Sequence, residues 1–331
     1  MESIRWGVLG AGAIAATVSA DIAATEGNVL QAVGARDANR AAAFAATHGV
    51  RRSYGSYAEL VADLDIDVIY VATTHAQHHD HALLALRAGK PVLVEKAFTL
   101  TAGQAQEVVA EARARGLFCM EAMWMRLNPL LRRAVELAQA GRIGQLLGVR
   151  ADLSRHFPYE AAHRLFDLRA GGGALLDLGV YPATAAWMFL GRPDTVQALG
   201  ALAPTGSDVT TAMQWGYAGG AVAQIYCSAA GGSPLAALIT GTDGWISVEP
   251  RIHRPQRLVV HDATGDEVID SPPVLGNGYQ AQAAEVARCL RAGELESPLV
   301  PLDETVAILT VLDEARRQLG VRYPADAVTT G

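Results

Sequence analysis

Cysteine is scarce in this chain: Cys119, Cys227 and Cys289 stand far apart, with no C-x-x-C pair among them. That excludes a disulfide framework and a zinc-type spacing, and it suits a reducing compartment. Basic residues do not outnumber acidic ones either: 27 Lys and Arg face 34 Asp and Glu, a formal net charge of −7. Nucleic-acid binders carry a basic face, so we expect no nucleic-acid partner. The sequence opens without a basic segment followed by a long apolar run, and a strand-like stretch already begins at Ile4. With no run of membrane-crossing length read elsewhere, we expect no membrane partner and a cytoplasmic protein. Internal repeats and low-complexity linkers are also missing, so a domain boundary has to show as a change of pattern. The 331 residues suffice for two domains, because a single core usually stops growing before this length.

What is present begins with alternation. Short apolar runs at Ile4–Leu9, Val29–Ala35, Val68–Ala72, Val92–Glu95 and Leu117–Ala122 predict strands. Between them, Ile14–Ala24, Ala38–Thr47, a segment from Ser56 to Leu64, Gln77–Ala88 and a segment from Thr101 to Gly116 predict helices. Ser56 with Glu59, and Thr101 with Gln104, have capping-box spacing. Strands apolar along their whole length imply a parallel sheet covered on both faces, a doubly wound α/β domain over residues 1–122. The pattern then changes. After a helix at Leu130–Ala140, most segments up to His261 are strand-like with tight turns, apart from a helix at Ala174–Leu190. This predicts an α+β second domain, residues 123–331, with a largely antiparallel open sheet and closing helices at Gln280–Ala292 and Asp303–Leu319. Strands alternating small and apolar residues, as in Ala221-Val222-Ala223-Gln224-Ile225, with few helices to cover them, predict a sheet face left for association.

Gly10-Ala11-Gly12-Ala13-Ile14-Ala15 is G-x-G-x-x-A between the first strand and first helix. The first glycine makes the tight turn, the second admits a pyrophosphate, and the small third residue lets helix and strand pack closely. The N–H groups at the helix start, around Ala13 and Ile14, then face the phosphates. An NAD site usually has an acid at the end of the second strand. Here Ala35 takes that position, followed by Arg36 and, one turn on, Arg40. Two guanidinium groups suit a 2′-phosphate and so point to NADP. In the alternative, both arginines are ordinary surface residues and Asp37 serves NAD.

Glu95-Lys96 lies at the carboxyl end of a buried strand, where open α/β sheets place their ligands. A lysine there is costly to bury without a task or a partner, and a plain ion pair with Glu95 is the bland alternative. Further on, Gly171-Gly172-Gly173 opens a helix on which Asp177 and Tyr181 are four residues apart, sharing a face, with Pro182 expected to kink it. A tyrosine near a lysine can move a proton, since the ammonium favours tyrosinate. Taken by itself, Tyr181 reads equally as a core tyrosine. His75, His78, His79 and His81 raise the question of a metal, but no cysteine or well-placed carboxylate completes a shell, and we expect none.

Together these motifs resemble the glucose–fructose oxidoreductase, inositol dehydrogenase and rhizopine-catabolism (Gfo/Idh/MocA) superfamily over essentially the whole chain. The fingerprint, Val71-Ala72-Thr73 with His78, Glu95-Lys96 and the triple glycine occur in the right order. More narrowly, Glu121–Arg126, the Asp177-to-Tyr181 spacing and Gly278-Tyr279 resemble the branch of dimeric dihydrodiol dehydrogenases and NADP-dependent D-xylose dehydrogenases. The resemblance implies that Lys96 and Tyr181 are a catalytic pair and Asp177 a substrate-side aspartate. It implies that Thr73, Thr74, His75 and His78, with Glu95 and Lys96, line the nicotinamide end. It makes Trp124, Arg126, Phe157, Arg164 and Tyr279 candidates for a sugar, cyclic polyol or trans-dihydrodiol pocket, and it implies a homodimer or dimer of dimers. One departure stands out: the family's Glu-Lys-Pro, often with a cis bond, is Glu-Lys-Ala here, so a trans bond before Ala97 is the energetic expectation. The rival readings are a biosynthetic ketosugar reductase and a non-catalytic NADP sensor; a sensor has no need of both Lys96 and Tyr181.

Overall fold

The computed structural model describes residues 3–272 and 276–326. The chain forms two compact units, one from Met1–Trp124 with Val274–Val306, the other from Met125–Pro273 with Ala307–Gly331. A boundary at 122/123 alone therefore leaves out the return of residues 274–306 to the first unit.

In the first unit the order is β1 (Ile4–Leu9), α1 (Ala13–Ala24), β2 (Asn28–Gly34), α2 (Ala38–His48), β3 (Arg52–Tyr54), α3 (Tyr57–Ala62), β4 (Val68–Val71), α4 (His75–Arg87), β5 (Val92–Val94), α5 (Ala102–Arg115) and β6 (Cys119–Glu121). The strands form one parallel sheet in the order β3-β2-β1-β4-β5-β6. β4 and β5 are buried at every position, as both-face coverage by helices requires. The order reverses between β1 and β4, and the crevice at their carboxyl ends is where such sheets take ligands. Ser56 and Thr101 cap α3 and α5 by accepting the Glu59 and Gln104 N–H groups. β3 was not anticipated: Arg52-Ser53-Tyr54 is short and polar, as an edge strand tolerates.

The second unit continues with α6 (Pro129–Gln139), β7 (Leu146–Ser154), α7 (Val180–Leu190), β8 (Thr195–Leu202), β9 (Asp208–Gly216), β10 (Val222–Ser228), β11 (Ala237–Gly241), β12 (Gly244–Val248), β13 (Arg257–Asp262) and β14 (Gly265–Asp270). Helices α8 (Gln280–Ala292) and α9 (Leu302–Leu319) end the chain. The eight strands run β14-β13-β12-β11-β7-β10-β9-β8. All neighbours are antiparallel except β7 and β10, which pair in parallel. The hairpin β13–β14 was also not anticipated.

Along β10, Ala223, Ile225 and Cys227 are buried while Gln224 and Tyr226 are exposed. Their partners Trp215, Met213 and Thr211 are buried likewise, so one face of the sheet carries the core. The other face exposes Leu199, Tyr226 and Trp245 and holds a concavity of about 920 Å³ lined by Arg150, Gln214, Leu238 and Glu249, among others. Contrary to the sequence expectation, one stretch, Leu168–Leu190, is long and apolar enough to cross a bilayer; 83% of an apolar 18-residue part of it is buried, as in a core segment.

The segment at Ala174–Leu190 is not one regular α-helix. Leu175–Gly179 forms a π turn that runs into α7. The disturbance lies just before Pro182, which offers no N–H to the Leu178 carbonyl four residues back. Three-point-six periodicity therefore does not govern the Asp177-to-Tyr181 spacing. The peptide bond between Lys96 and Ala97 is cis, against the energetic expectation of a trans bond.

Candidate active site

The glycine loop follows β1 directly. Gly10 has φ +115°, and a Cβ there would lie 2.7 Å from the Ala72 carbonyl oxygen, so a side chain is refused on two counts. Around Gly12 a Cβ would meet nothing within 4 Å, which leaves open space at the start of α1. Gly12 caps α1 with no side-chain acceptor, and the first turn has no acid. Ala15 is fully buried, as close packing of helix on strand needs. A pyrophosphate fits here: the space over Gly12 is open, and a helix start without a side-chain cap favours an anion.

At the end of β2, Ala35 is buried while Arg36, Asp37 and Arg40 are exposed. Asp37 caps α2, its Oδ1 accepting the Arg40 N–H at 3.0 Å. Arg40 in turn donates from Nε and Nη2 to the Ala11 carbonyl, at 3.2 and 2.9 Å, so its guanidinium rests on the glycine loop. The NAD alternative thus has its acid engaged at a helix start.

After β4, His78 is 1% exposed and touches two backbone carbonyls: Nδ1 lies 2.9 Å from the Ala97 oxygen and Nε2 3.2 Å from the Thr73 oxygen. Burial, with His75 nearby, pushes its pKa down to about 3, so the ring stays neutral. It ties the loop after β4 to the Lys96–Ala97 turn. Thr73 Oγ1 sits 3.0 Å from His81 Nδ1, Thr74 caps α4 through its backbone, and His75 packs edge-on against His78. Lys96 is half-buried at the carboxyl end of β5. Glu95 before it turns into the core, where Tyr70 donates to Oε1 at 2.6 Å; burial pushes this carboxyl up to about 7, against the lowering effect of the Tyr70 bond and the Lys96 charge. Among the described residues no three His, Cys, Asp or Glu side chains gather as a metal site.

The aromatic candidates Trp124 and Tyr279 meet with ring centroids 4.4 Å apart. Tyr279 is held by Asp21 of α1, whose carboxylate accepts the Tyr279 N–H at 2.7 Å and the Asn277 N–H at 3.0 Å. In the second unit, Arg164 forms a bidentate pair with Asp177, at 3.1 and 3.2 Å. Asp177 is 6% exposed, so this pair, rather than open solvent, satisfies its charge. Tyr181 is 7% exposed, its ring 5.6 Å from that of His253. Arg126 lies half-buried in the short helical turn Trp124–Leu127, and Phe157 is half-buried with its ring 6.1 Å from His163. Asp21 and His253, which touch these candidates, sit in no motif, and only tertiary contact singles them out.

A family model described as oxidoreductase, NAD-binding Rossmann fold, matches residues 4–123, and one described as GFO/IDH/MocA C-terminal domain matches residues 131–247. The chain is 38% identical to trans-1,2-dihydrobenzene-1,2-diol dehydrogenase of Mus musculus over 339 residues, 98% of this chain and 99% of that protein. It superposes on a 3-ketoreductase from Actinomadura kijaniata in complex with NADP and TDP-benzene with a TM-score of 0.84, at 26% identity over 96% of this chain and 98% of that one. A levoglucosan dehydrogenase in complex with NADH and levoglucosan gives a TM-score of 0.88 at 19% identity, with the same coverage, a likeness of fold.

Proposed function

Since the chain belongs to the Gfo/Idh/MocA oxidoreductase family, we propose that it uses NADP to oxidise or reduce a sugar, cyclic polyol or trans-dihydrodiol, with Lys96 and Tyr181 as the catalytic pair. It is an NAD(P)-dependent dehydrogenase acting on alcohols. The observation that carries the proposal is the half-buried Lys96 at the ligand edge of the parallel sheet.

Bound nicotinamide supplies or accepts the hydride. Everything else falls to the chain. The glycine loop and the start of α1 hold the pyrophosphate. Lys96 donates a hydrogen bond to the reacting oxygen and, as an ammonium, favours the tyrosinate form of Tyr181. In oxidation the carbinol proton passes to the Tyr181 oxygen as the carbon–oxygen double bond forms; in reduction the phenol returns it. Arg164 fixes Asp177 on the substrate side, and the Trp124–Tyr279 pair offers an apolar wall to a ring. A panel of aldoses, inositols, dihydrodiols and α-dicarbonyls, read by cofactor absorbance with NAD and NADP, tests this. No turnover with any member would leave the sensor reading in place. A ketosugar reductase is the second reading, favoured by the likeness to the 3-ketoreductase. A cytoplasmic setting suits three buried, unpaired thiols.

For the cofactor, Arg36→Ala raises the KM for NADP by at least tenfold and that for NAD by little, because a lost bidentate phosphate contact is worth about 1.5–3 kcal/mol. Steady-state titration of both cofactors decides it, and equal effects would remove the assignment to NADP. For assembly, the exposed sheet face with Leu199, Tyr226 and Trp245 is the surface we assign to a homodimer or dimer of dimers. Sedimentation at micromolar concentration should give at least a dimer, and Leu199→Lys with Tyr226→Lys a monomer. A wild-type monomer refutes this.

A further inference from the structure

The second unit buries a carboxylate that the chemistry above does not use. Asp208, at the start of β9, is 2% exposed. Its Oδ2 accepts the Leu175 N–H at 2.7 Å and the Thr211 hydroxyl at 3.0 Å. Among the described residues no cation pairs with it; burial pushes the carboxyl up to about 6, against the lowering effect of these hydrogen bonds and its own backbone N–H. A buried carboxylate without a cation is costly, and an amide of the same shape avoids that cost. The position of this one explains what it does.

Leu175 is the first residue of the π turn that leads into α7. Asp208 therefore grips the N–H side of the start of the segment that bears Asp177 and Tyr181. The carbonyl side is gripped as well: the Tyr323 hydroxyl donates to the Gly172 oxygen at 3.1 Å. Between them Gly173 has φ +141°, and a Cβ there would collide with Asp208 Oδ1. The glycine run thus lets a carboxylate from the neighbouring strand close on the backbone. A wide turn tolerates more than one register, so an anchor at its first residue decides where the next two turns point.

We propose that Asp208 is a positioning residue of the active site, its carboxylate fixing the start of the π turn so that Asp177 meets Arg164 and Tyr181 is held where it transfers the proton. The inference rests on Tyr181 being the proton donor. Asparagine at this position still offers one oxygen to the two donors that Oδ2 now serves, but it removes the charge that strengthens both bonds and puts an N–H₂ in place of the Oδ1 that faces Gly173, which loosens the anchor while keeping the volume.

The experiment is a double-mutant cycle of Asp208→Asn and Tyr181→Phe on the full chain, with NADP affinity followed by fluorescence and folding by circular dichroism. Asp208→Asn is expected to lower kcat by about 10²-fold, the scale of a misplaced catalytic group. NADP affinity and the folded spectrum stay unchanged, and melting at pH 8 is no lower. In the Tyr181→Phe background the same substitution should lower kcat no further, because an effect that acts through Tyr181 has nothing left to act on. Losses that multiply, or near-normal turnover of Asp208→Asn, overturn the inference. Near-normal turnover of Tyr181→Phe alone overturns the acid–base reading and this inference with it. Should Asp208→Asn not fold, Thr211→Val removes one donor to the carboxylate and keeps the Leu175 bond. It is then read in the same cycle, with an expected loss of about threefold to tenfold that vanishes beside Tyr181→Phe.

Discussion

Tyr181→Phe lowers kcat by about 10²–10⁴-fold, the usual worth of a positioned acid–base group. The substitution removes one oxygen from a side chain that is 7% exposed and packed near His253, so the fold keeps its volume and NADP affinity stays close to wild type. Lys96→Met is expected to do comparable damage, since the proposed mechanism gives Lys96 the hydrogen bond to the reacting oxygen and the charge that favours tyrosinate. The double variant is barely worse than either single one, because groups that act as a unit are not additive. Single-turnover kinetics on the best substrate of the panel measure all three. Near-normal turnover of the phenylalanine variant would falsify the mechanism.

Glu95→Gln makes the protein more stable at pH 8 by up to about 3 kcal/mol and gives an advantage under about 1 kcal/mol at pH 5. The folded chain raises the Glu95 carboxyl to about 7 from an ordinary value of 4.5, mainly by burying it. The protonated form is therefore the one the fold prefers. Its contribution to stability is complete below the unfolded value and is lost as the pH rises from about 4.5 through 7. Glutamine never ionises, and its carbonyl still accepts from the Tyr70 hydroxyl that now bonds Oε1. Urea titrations of both proteins at pH 5 and pH 8 separate this from the other titrating groups, which the pair shares. His78, held neutral with a value near 3, and Asp208, raised to about 6, are among them and cancel in the difference. A variant no more stable at pH 8 than at pH 5, relative to wild type, contradicts the assignment.

Much of the first unit was legible because its signals are local. Ser56 and Thr101 announce helices by the cap they make within three residues. Gly10 marks a turn whose geometry only glycine allows, and the all-apolar β4 and β5 give away burial on both faces. The signals that failed are those that tertiary contact supplies. Residues 280–292 read correctly as a helix, but nothing in them says that they belong with the first unit. β14, Gly-Asp-Glu-Val-Ile-Asp, is too acidic for strand propensity and is a strand because it pairs with β13 at a sheet edge. At the candidate site the residue types were readable and their pairings were not. Arg164 and Asp177 are 13 residues apart across a glycine turn, and no periodicity links them. Asp208 is 33 residues from the backbone it holds.

The place of β7 in its sheet has a consequence for biosynthesis. Both of its neighbours, β10 and β11, follow it in the chain by some 70 to 90 residues. At the usual elongation rate a ribosome takes on the order of ten seconds to deliver them. Throughout that interval the nascent chain displays an unpaired strand with an apolar face, the kind of segment that chaperones shield. Nor can the first unit finish ahead of the second, since residues 274–306 complete it and are made later. The two units must therefore mature almost together, once residues 274–306 have been made, although their sheets share no strand.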